Sequence, residues 1–243
     1  MRTAPVFLVA ALPAGATHVL DGEEGHHAAT VRRLAAGEEV DLADGAGGLA
    51  HCVVTGVGRG RLELAVTGRT AVPAPSPRLV VAQALAKGDR GELAVETMTE
   101  AGVDEIVPWQ AARSVVRWQG ERGAKSLGRW RSTAREAAKQ ARRAWLPTVA
   151  EPATTATLAA RLAAADLAVV LDGDGPTPLG DVVPPEAGEV VVVVGPEGGI
   201  APDELAAFLE AGAVPARLGP TVLRTSTAGV VAAAILSTRT RWR

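Results

Sequence analysis

Two stretches near the carboxyl end carry residue types able to hold a small ligand. In "VVVVGPEGGIAPDEL" (residues 191–205) a valine run ends in Gly195, Pro196, Glu197, Gly198 and Gly199, and Pro202, Asp203 and Glu204 then open a helix. Glycine lets a ligand approach the backbone closely, and a strand, a glycine loop and a helix in succession often cradle phosphate on backbone N–H groups. This loop has neither the lysine of a Walker loop nor the spacing of a GxGxxG fingerprint. Its acids suit a helix N-terminus and would repel a polyphosphate. The residues fit either a plain strand-to-helix turn or a site for a ligand without strong negative charge, recognised by backbone groups.

The second stretch is "ARLGPTVLRTSTAGVVAAAI" (residues 216–235), which reads as a short strand, a tight turn and an apolar helix. Thr225 or Ser226 is the predicted N-cap. Arg224 is either a surface arginine beside that cap or a cation at the rim of the crevice where open α/β sheets bind ligands, beyond the carboxyl ends of their strands. S-adenosylmethionine suits such a crevice: its adenosine needs backbone hydrogen bonds and its sulfonium is cationic.

A third chemical feature is charge. Residues 113–143 hold ten Lys or Arg and two acids, Glu121 and Glu136, a balance of +8 in a chain whose total is −2. Leu127, Trp130, Ala134, Ala137 or Ala138, Ala141 and Trp145 recur at spacings of three and four, which predicts one long helix through Trp145 with an apolar stripe. Arg129, Arg131, Arg135, Lys139, Arg142 and Arg143 are left for the other faces. A run this lopsided favours a polyanion partner over an ordinary solvated face.

These residues need a frame. Residues 1–72 read as short β-runs at 38–45, 49–57 and 61–68, punctuated by glycine, with one helix around 25–34: a small barrel or sandwich. "VPAPSP" (residues 72–77) reads as a stiff, extended boundary. From residue 78 strands and helices alternate and the strands are continuous valine runs, which predicts an α/β domain with a parallel sheet covered on both faces. The amino-terminal stretch mimics a secretory signal. A first strand at residues 6–9 is the better reading, since Arg2 is its single basic residue and Pro5 and Pro13 bound the apolar run; this predicts a cytoplasmic protein. Its apolar runs are too short to cross a membrane. One cysteine, Cys52, excludes an internal disulfide, and four histidines without a second cluster speak against a metal.

Taken together, "VGPEGGIAPDEL" and "LGPTVLRTSTA" resemble the 16S ribosomal RNA uracil-N3 methyltransferases of the SPOUT class, which use S-adenosylmethionine. "HHAATVRRLAAGEEVDLADG" (26–45), "KGDRGELAVETMTEAGVDEIVP" (87–108) and "AAKQARRAWLP" (137–147) extend the resemblance over nearly the whole chain. It implies an α/β protein: a PUA-like RNA-binding β-barrel at 1–72, then a SPOUT methyltransferase domain at 78–243 with a mostly parallel sheet and a deep carboxyl-terminal trefoil knot. It also implies a homodimer acting on 16S rRNA in the small ribosomal subunit or its precursor. The cofactor loops, carried over by position, are Leu171; Gly195, Pro196, Glu197, Gly198 and Gly199; Leu218 and Gly219; and Val222, Leu223 and Thr225.

Three positions depart from the family pattern: Ser226 stands where a glutamate is usual, Thr97 where a lysine is, and Lys139 where a glutamate precedes Gln140. Methyl transfer to uracil N3 must remove a weakly acidic proton, leaving charge on the ring oxygens that a cation stabilises. Arg224, or Arg143 from the long helix, is the expected cation, and Glu197 is the loop carboxylate available to assist. RNA contacts are expected from Arg32 and Arg33, from Arg113 and Arg117, and from Arg135, Lys139, Gln140, Arg142 and Arg143. Other readings are a SPOUT enzyme acting on a ribose hydroxyl or a tRNA base, or a non-catalytic RNA-binding assembly factor.

Overall fold

The computed structural model of the chain describes residues 4–243; Arg2, which entered the reading of the amino terminus, lies outside them. The described residues form two compact units: residues 4–74 with Ala138–Leu146, and Pro75–Ala137 with Pro147–Arg243.

The first unit holds strands β1 (Val6–Leu8), β2 (Thr17–Leu20), β3 (Glu39–Ala43), β4 (Gly48–Gly58) and β5 (Arg61–Ala71). They form one mixed sheet in the order β1-β3-β4-β5-β2, parallel only between β1 and β3. Side chains alternate across the pleat, so β4 sends Ala50, Cys52 and Val54 into a core with Phe7, Leu42 and Leu62. The predicted helix at 25–34 begins earlier, as α1 (Gly22–His26), and runs on into a π-turn, His27–Val31. Arg33 stops it in the left-handed conformation, at φ 54°.

The second unit holds β6 (Arg78–Ala84), β7 (Glu105–Trp109), β8 (Thr148–Val149), β9 (Leu167–Leu171), β10 (Thr177–Pro178), β11 (Glu189–Val194) and β12 (Val214–Arg217). All pair in parallel, in the order β10-β12-β9-β11-β6-β7-β8. Helices α2 (Arg90–Glu100), α3 (Gly120–Gln140) and α6 (Thr225–Thr238) cover one face, and α4 (Thr155–Ala164) and α5 (Pro202–Glu210) the other. The valine run of β11 follows from this: Val190, Val192 and Val194 enter one core while Val191 and Val193 enter the other. On the second face Phe208 meets Trp109 edge-on, with ring centroids 5.2 Å apart.

Three sequence expectations change. The long helix ends at Gln140, not at Trp145. Arg142 adopts φ 54°, Arg143 N donates to the Ala138 carbonyl at 2.9 Å and Arg142 N to that of Lys139 at 3.0 Å. That is a Schellman stop, so Ala141 is exposed and Trp145 instead donates its indole N–H to the Val72 carbonyl at 2.9 Å within the first unit. The N-cap of α6 is Arg224, without a side-chain cap bond, rather than Thr225 or Ser226, both of which are buried in its first turn. Helix α4 was not anticipated; it buries Leu158 and Leu162, and Thr154 and Thr157 cap its start reciprocally.

The amino-terminal ends of three neighbouring strands are tied by charge. Arg161 of α4 pairs with Glu105 at 2.5 Å and Glu189 at 2.9 Å, and Arg78 pairs with the same two acids. Burial pushes the Glu105 carboxyl up, but Arg161 and Arg78 outweigh it and hold it below the usual carboxylate range. The same acids push the Arg161 guanidinium further above its ordinary value against the effect of burial. At the chain's end Arg241 bridges Asp104 and the carbonyls of Pro77 and Gly102. Among the described residues no helix is long and apolar enough to cross a membrane, and no cluster of three or more His, Cys, Asp or Glu could hold a metal.

Candidate functional site

The carboxyl ends of β9, β11 and β12 open into one cavity of about 520 Å³ in the second unit. That volume suits a nucleoside-sized ligand. Of the residues singled out from the sequence, Leu171, Gly195, Pro196, Glu197, Gly199, Leu218, Gly219, Val222, Leu223 and Thr225 all line it, as does Arg224. Residues more than fifty apart in sequence meet because β11 lies directly beside β9, and β12 on the other side of β9.

Local chemistry explains the loop after β11. Gly199 N donates to the Pro196 carbonyl at 2.9 Å, closing a turn, and Gly199 itself takes φ 73°, a conformation that favours glycine. A Cβ on Gly195 would stand 2.8 Å from Ile200 Cγ1, so glycine is required there by packing. Gly219 is different: a Cβ there meets nothing within 4 Å, yet the residue faces the cavity. Gly198 is not on the wall; its carbonyl accepts from the Arg113 guanidinium at 3.2 Å.

The walls are apolar at Leu171, Leu218, Val222 and Leu223 and acidic at Glu197 and Asp172. Glu197 faces the Arg90 guanidinium at 3.8 Å and accepts weakly from Lys87 N at 3.4 Å. One Asp172 oxygen accepts from Asp174 N at 3.2 Å. Arg90, Asp172 and Ala216 were missed by sequence reasoning. For Asp172 a signal existed, since "LDGDG" repeats the pattern of a buried strand followed by glycine and acid. Arg90 becomes visible only through the pairing of β6 with β11, which sets its helix beside the glycine loop.

The basic residues separate. Arg113 and Arg117 are exposed on the loop before α3, and Arg113 also reaches the Ile200 carbonyl at 3.4 Å. Glu204, buried, fastens the same loop, accepting from Ala112 N at 2.8 Å, Thr155 Oγ1 at 2.9 Å and Ala201 N at 3.2 Å. Arg135 is exposed on α3. Arg32, Arg33, Gln140 and Arg142 are exposed, and Arg143 half-buried, in the first unit. Lys139 is a correction: it is buried, and its ammonium meets the Glu24 carboxylate at 2.9 Å, so it is not presented to a phosphate.

Comparison with known proteins agrees with this arrangement. A family model described as an RNA methyltransferase domain matches residues 73–237, and one described as an RNA methyltransferase PUA domain matches residues 20–67. The chain is 50% identical over 245 residues to ribosomal RNA small subunit methyltransferase E of Mycobacterium tuberculosis, covering 98% of this chain and 94% of that protein. Solved structures with the same fold include a ribosomal RNA small subunit methyltransferase E from Neisseria gonorrhoeae bound to S-adenosyl methionine (27% identity, TM-score 0.84, 98% of each chain covered). A putative methyltransferase from Legionella pneumophila in complex with the same bound cofactor matches equally well (27%, TM-score 0.85, 98% of each chain). A mixed-sheet unit followed by an all-parallel sheet, a cavity at its strand ends and two family matches along the chain lead to one assignment: the chain belongs to the RNA methyltransferase family, among the ribosomal RNA small subunit methyltransferases E.

Proposed function

We propose that the protein transfers a methyl group from S-adenosylmethionine to N3 of a specific uridine in 16S rRNA, within the small ribosomal subunit or its precursor. The observation that carries this reading is the cavity at the ends of β9, β11 and β12, in a chain whose solved relatives are described as holding that cofactor. The residues present fit it. Leu171, Leu218 and Leu223 offer apolar surface to an adenine ring, Gly195 and Gly219 leave backbone accessible, and Glu197 and Asp172 suit a cationic sulfonium. When bound, the cofactor supplies an electrophilic methyl with a neutral leaving group.

The protein's own part is positioning and charge. Arg224, exposed at the rim, stabilises negative charge on the uracil oxygens as N3 loses its proton, with Arg143 as the alternative cation and Glu197 as an assisting carboxylate. The cofactor site comprises Leu171, Gly195, Pro196, Glu197, Gly199, Leu218, Gly219, Val222, Leu223 and Thr225. RNA is held by Arg32, Arg33, Arg113, Arg117, Arg135, Gln140, Arg142 and Arg143. The target base must be exposed or flipped to be reached.

The finer architecture belongs to the same proposal: a PUA-like β-barrel over residues 1–72 and a knotted SPOUT domain over 78–243. Strand order supports a knot, because β11 inserts between β6 and β9, and β12 between β9 and β10, after those partners have passed in sequence. A homodimer and a cytoplasmic location complete the reading. Calorimetric titration tests the core of it: selective binding of S-adenosylmethionine over ATP and NAD, followed by methylation of small-subunit RNA at uridine N3 by mass mapping, is the expected result. Arg224→Ala is expected to lower kcat at least about 100-fold with cofactor Kd little changed; full turnover would remove Arg224 from the mechanism.

A further inference from the structure

A second cavity, of about 200 Å³, opens beside the first. The segment after β6 is shared between them: Arg90 faces the cofactor cavity, while Gly88, Asp89, Gly91 and Glu92 face the second. The Lys87 amide and the Arg90 guanidinium both approach Glu197 of the glycine loop, so the two cavities flank one short stretch of chain at the same end of the sheet. An acceptor atom must come within about 3–3.5 Å of the methyl carbon along the line of displacement. A base pocket for this reaction must therefore lie close to the cofactor cavity, and this one is set apart from it by the single short stretch around Arg90.

Its lining fits one kind of ligand. The volume is below that of drug-sized sites and matches a single ring. Trp118, half-buried and set edge-on to Trp130 with ring centroids 4.9 Å apart, gives an aromatic wall for a flipped base. Asp89 and Glu92 outnumber Arg129, which lies 3.5 Å from Glu92, so a phosphate is disfavoured and a neutral ring with both N–H and C=O groups is favoured. Ser126, on α3 at the same wall, can donate or accept.

We infer that this second cavity receives the acceptor base, a pyrimidine turned out of the RNA, with Trp118 against its ring, Arg129 and Glu92 flanking it, and N3 with its neighbouring oxygens turned toward the cofactor cavity and Arg224. The inference rests on the proposed methyl transfer. The covalent step is a single displacement: the N3–H proton passes to water, N3 bonds to the methyl carbon, and the carbon–sulfur electron pair returns to sulfur, giving S-adenosylhomocysteine.

Filling the cavity tests this. Ser126→Phe is expected to melt near the parent temperature and to bind S-adenosylmethionine with Kd within about threefold by calorimetry. Its kcat/KM for methyl transfer to unmethylated small ribosomal subunits is expected to fall at least about 100-fold. Should Ser126→Phe not fold, Glu92→Ala carries the same test, with an expected loss of about tenfold at unchanged cofactor affinity. A folded, cofactor-binding Ser126→Phe enzyme, or failing that a Glu92→Ala enzyme, that methylates at the parent rate overturns the cavity assignment alone. A parent protein that binds cofactor yet methylates no small-subunit RNA overturns the proposed function, and this inference with it.

Discussion

Single residues in the cavity wall separate folding from binding. Gly219 has no steric need to be glycine in the folded chain, so Gly219→Ala is expected to leave the melting temperature within about 2 °C while placing a methyl group in the ligand's space. A tenfold or greater rise in cofactor Kd by calorimetry is the expected reading; unchanged affinity would mean the ligand does not approach there. Gly199→Ala must act on both, because φ 73° costs an L-residue about 1 kcal/mol before any ligand binds. Lys139 makes the converse point. Its charge resembles an RNA contact in sequence, but it is buried against Glu24, so Lys139→Ala is expected to destabilise the protein by about 3 kcal/mol in urea unfolding. A variant that weakens RNA binding at full stability would restore the surface reading.

At the scale of elements, two helical segments end on arginines held at φ 54°, Arg33 after the π-turn and Arg142 after α3, where glycine would be unstrained. Strained residues tend to persist where their side chains serve a purpose. Arg33→Gly is expected to raise unfolding free energy by about 0.5–1 kcal/mol and to weaken RNA binding with a shallower salt dependence, by about one unit of slope. Stabilisation without any change in RNA affinity would leave the strain unexplained by RNA contact. The loop before α3 behaves as one element with the glycine loop, since Glu204 holds its backbone and Arg113 holds Gly198.

At the scale of the whole molecule, the charged clamp joining β6, β7, β11 and α4 links stability to pH. Glu105 has its carboxyl held below the usual range by Arg161 and Arg78 despite burial. A depressed carboxylate contributes its full stabilisation above the unfolded pKa of about 4.3 and loses it as pH falls through the lower folded value. Urea midpoints are therefore expected to be level near neutrality and to drop below about pH 4. Glu105→Gln is expected to cost about 1–2 kcal/mol at pH 7, a value reduced because the Arg78 side chain is 45% exposed, and to converge with the parent in acid. A constant difference across the pH range would remove the clamp from that dependence.

The sequence alone determined what local rules govern. Alternation in β4, the valine run of β11, the glycine loop and the lopsided charge of residues 113–143 are each written in a few neighbouring residues. A parallel α/β unit followed from the change of rhythm at residue 78. Tertiary structure decided what depends on partners distant in the chain. Helix α4 is seated by Leu158 and Leu162 in the core it shares with α5, and α3 stops at an arginine turn that helical spacing does not reveal. Lys139 is claimed by Glu24, and Arg90 and Asp172 reach the cavity only because strands far apart in sequence are neighbours in the sheet. Periodicity reports which face of an element is buried; it carries no information on which element covers that face, and ligand sites at strand ends are made by that second choice.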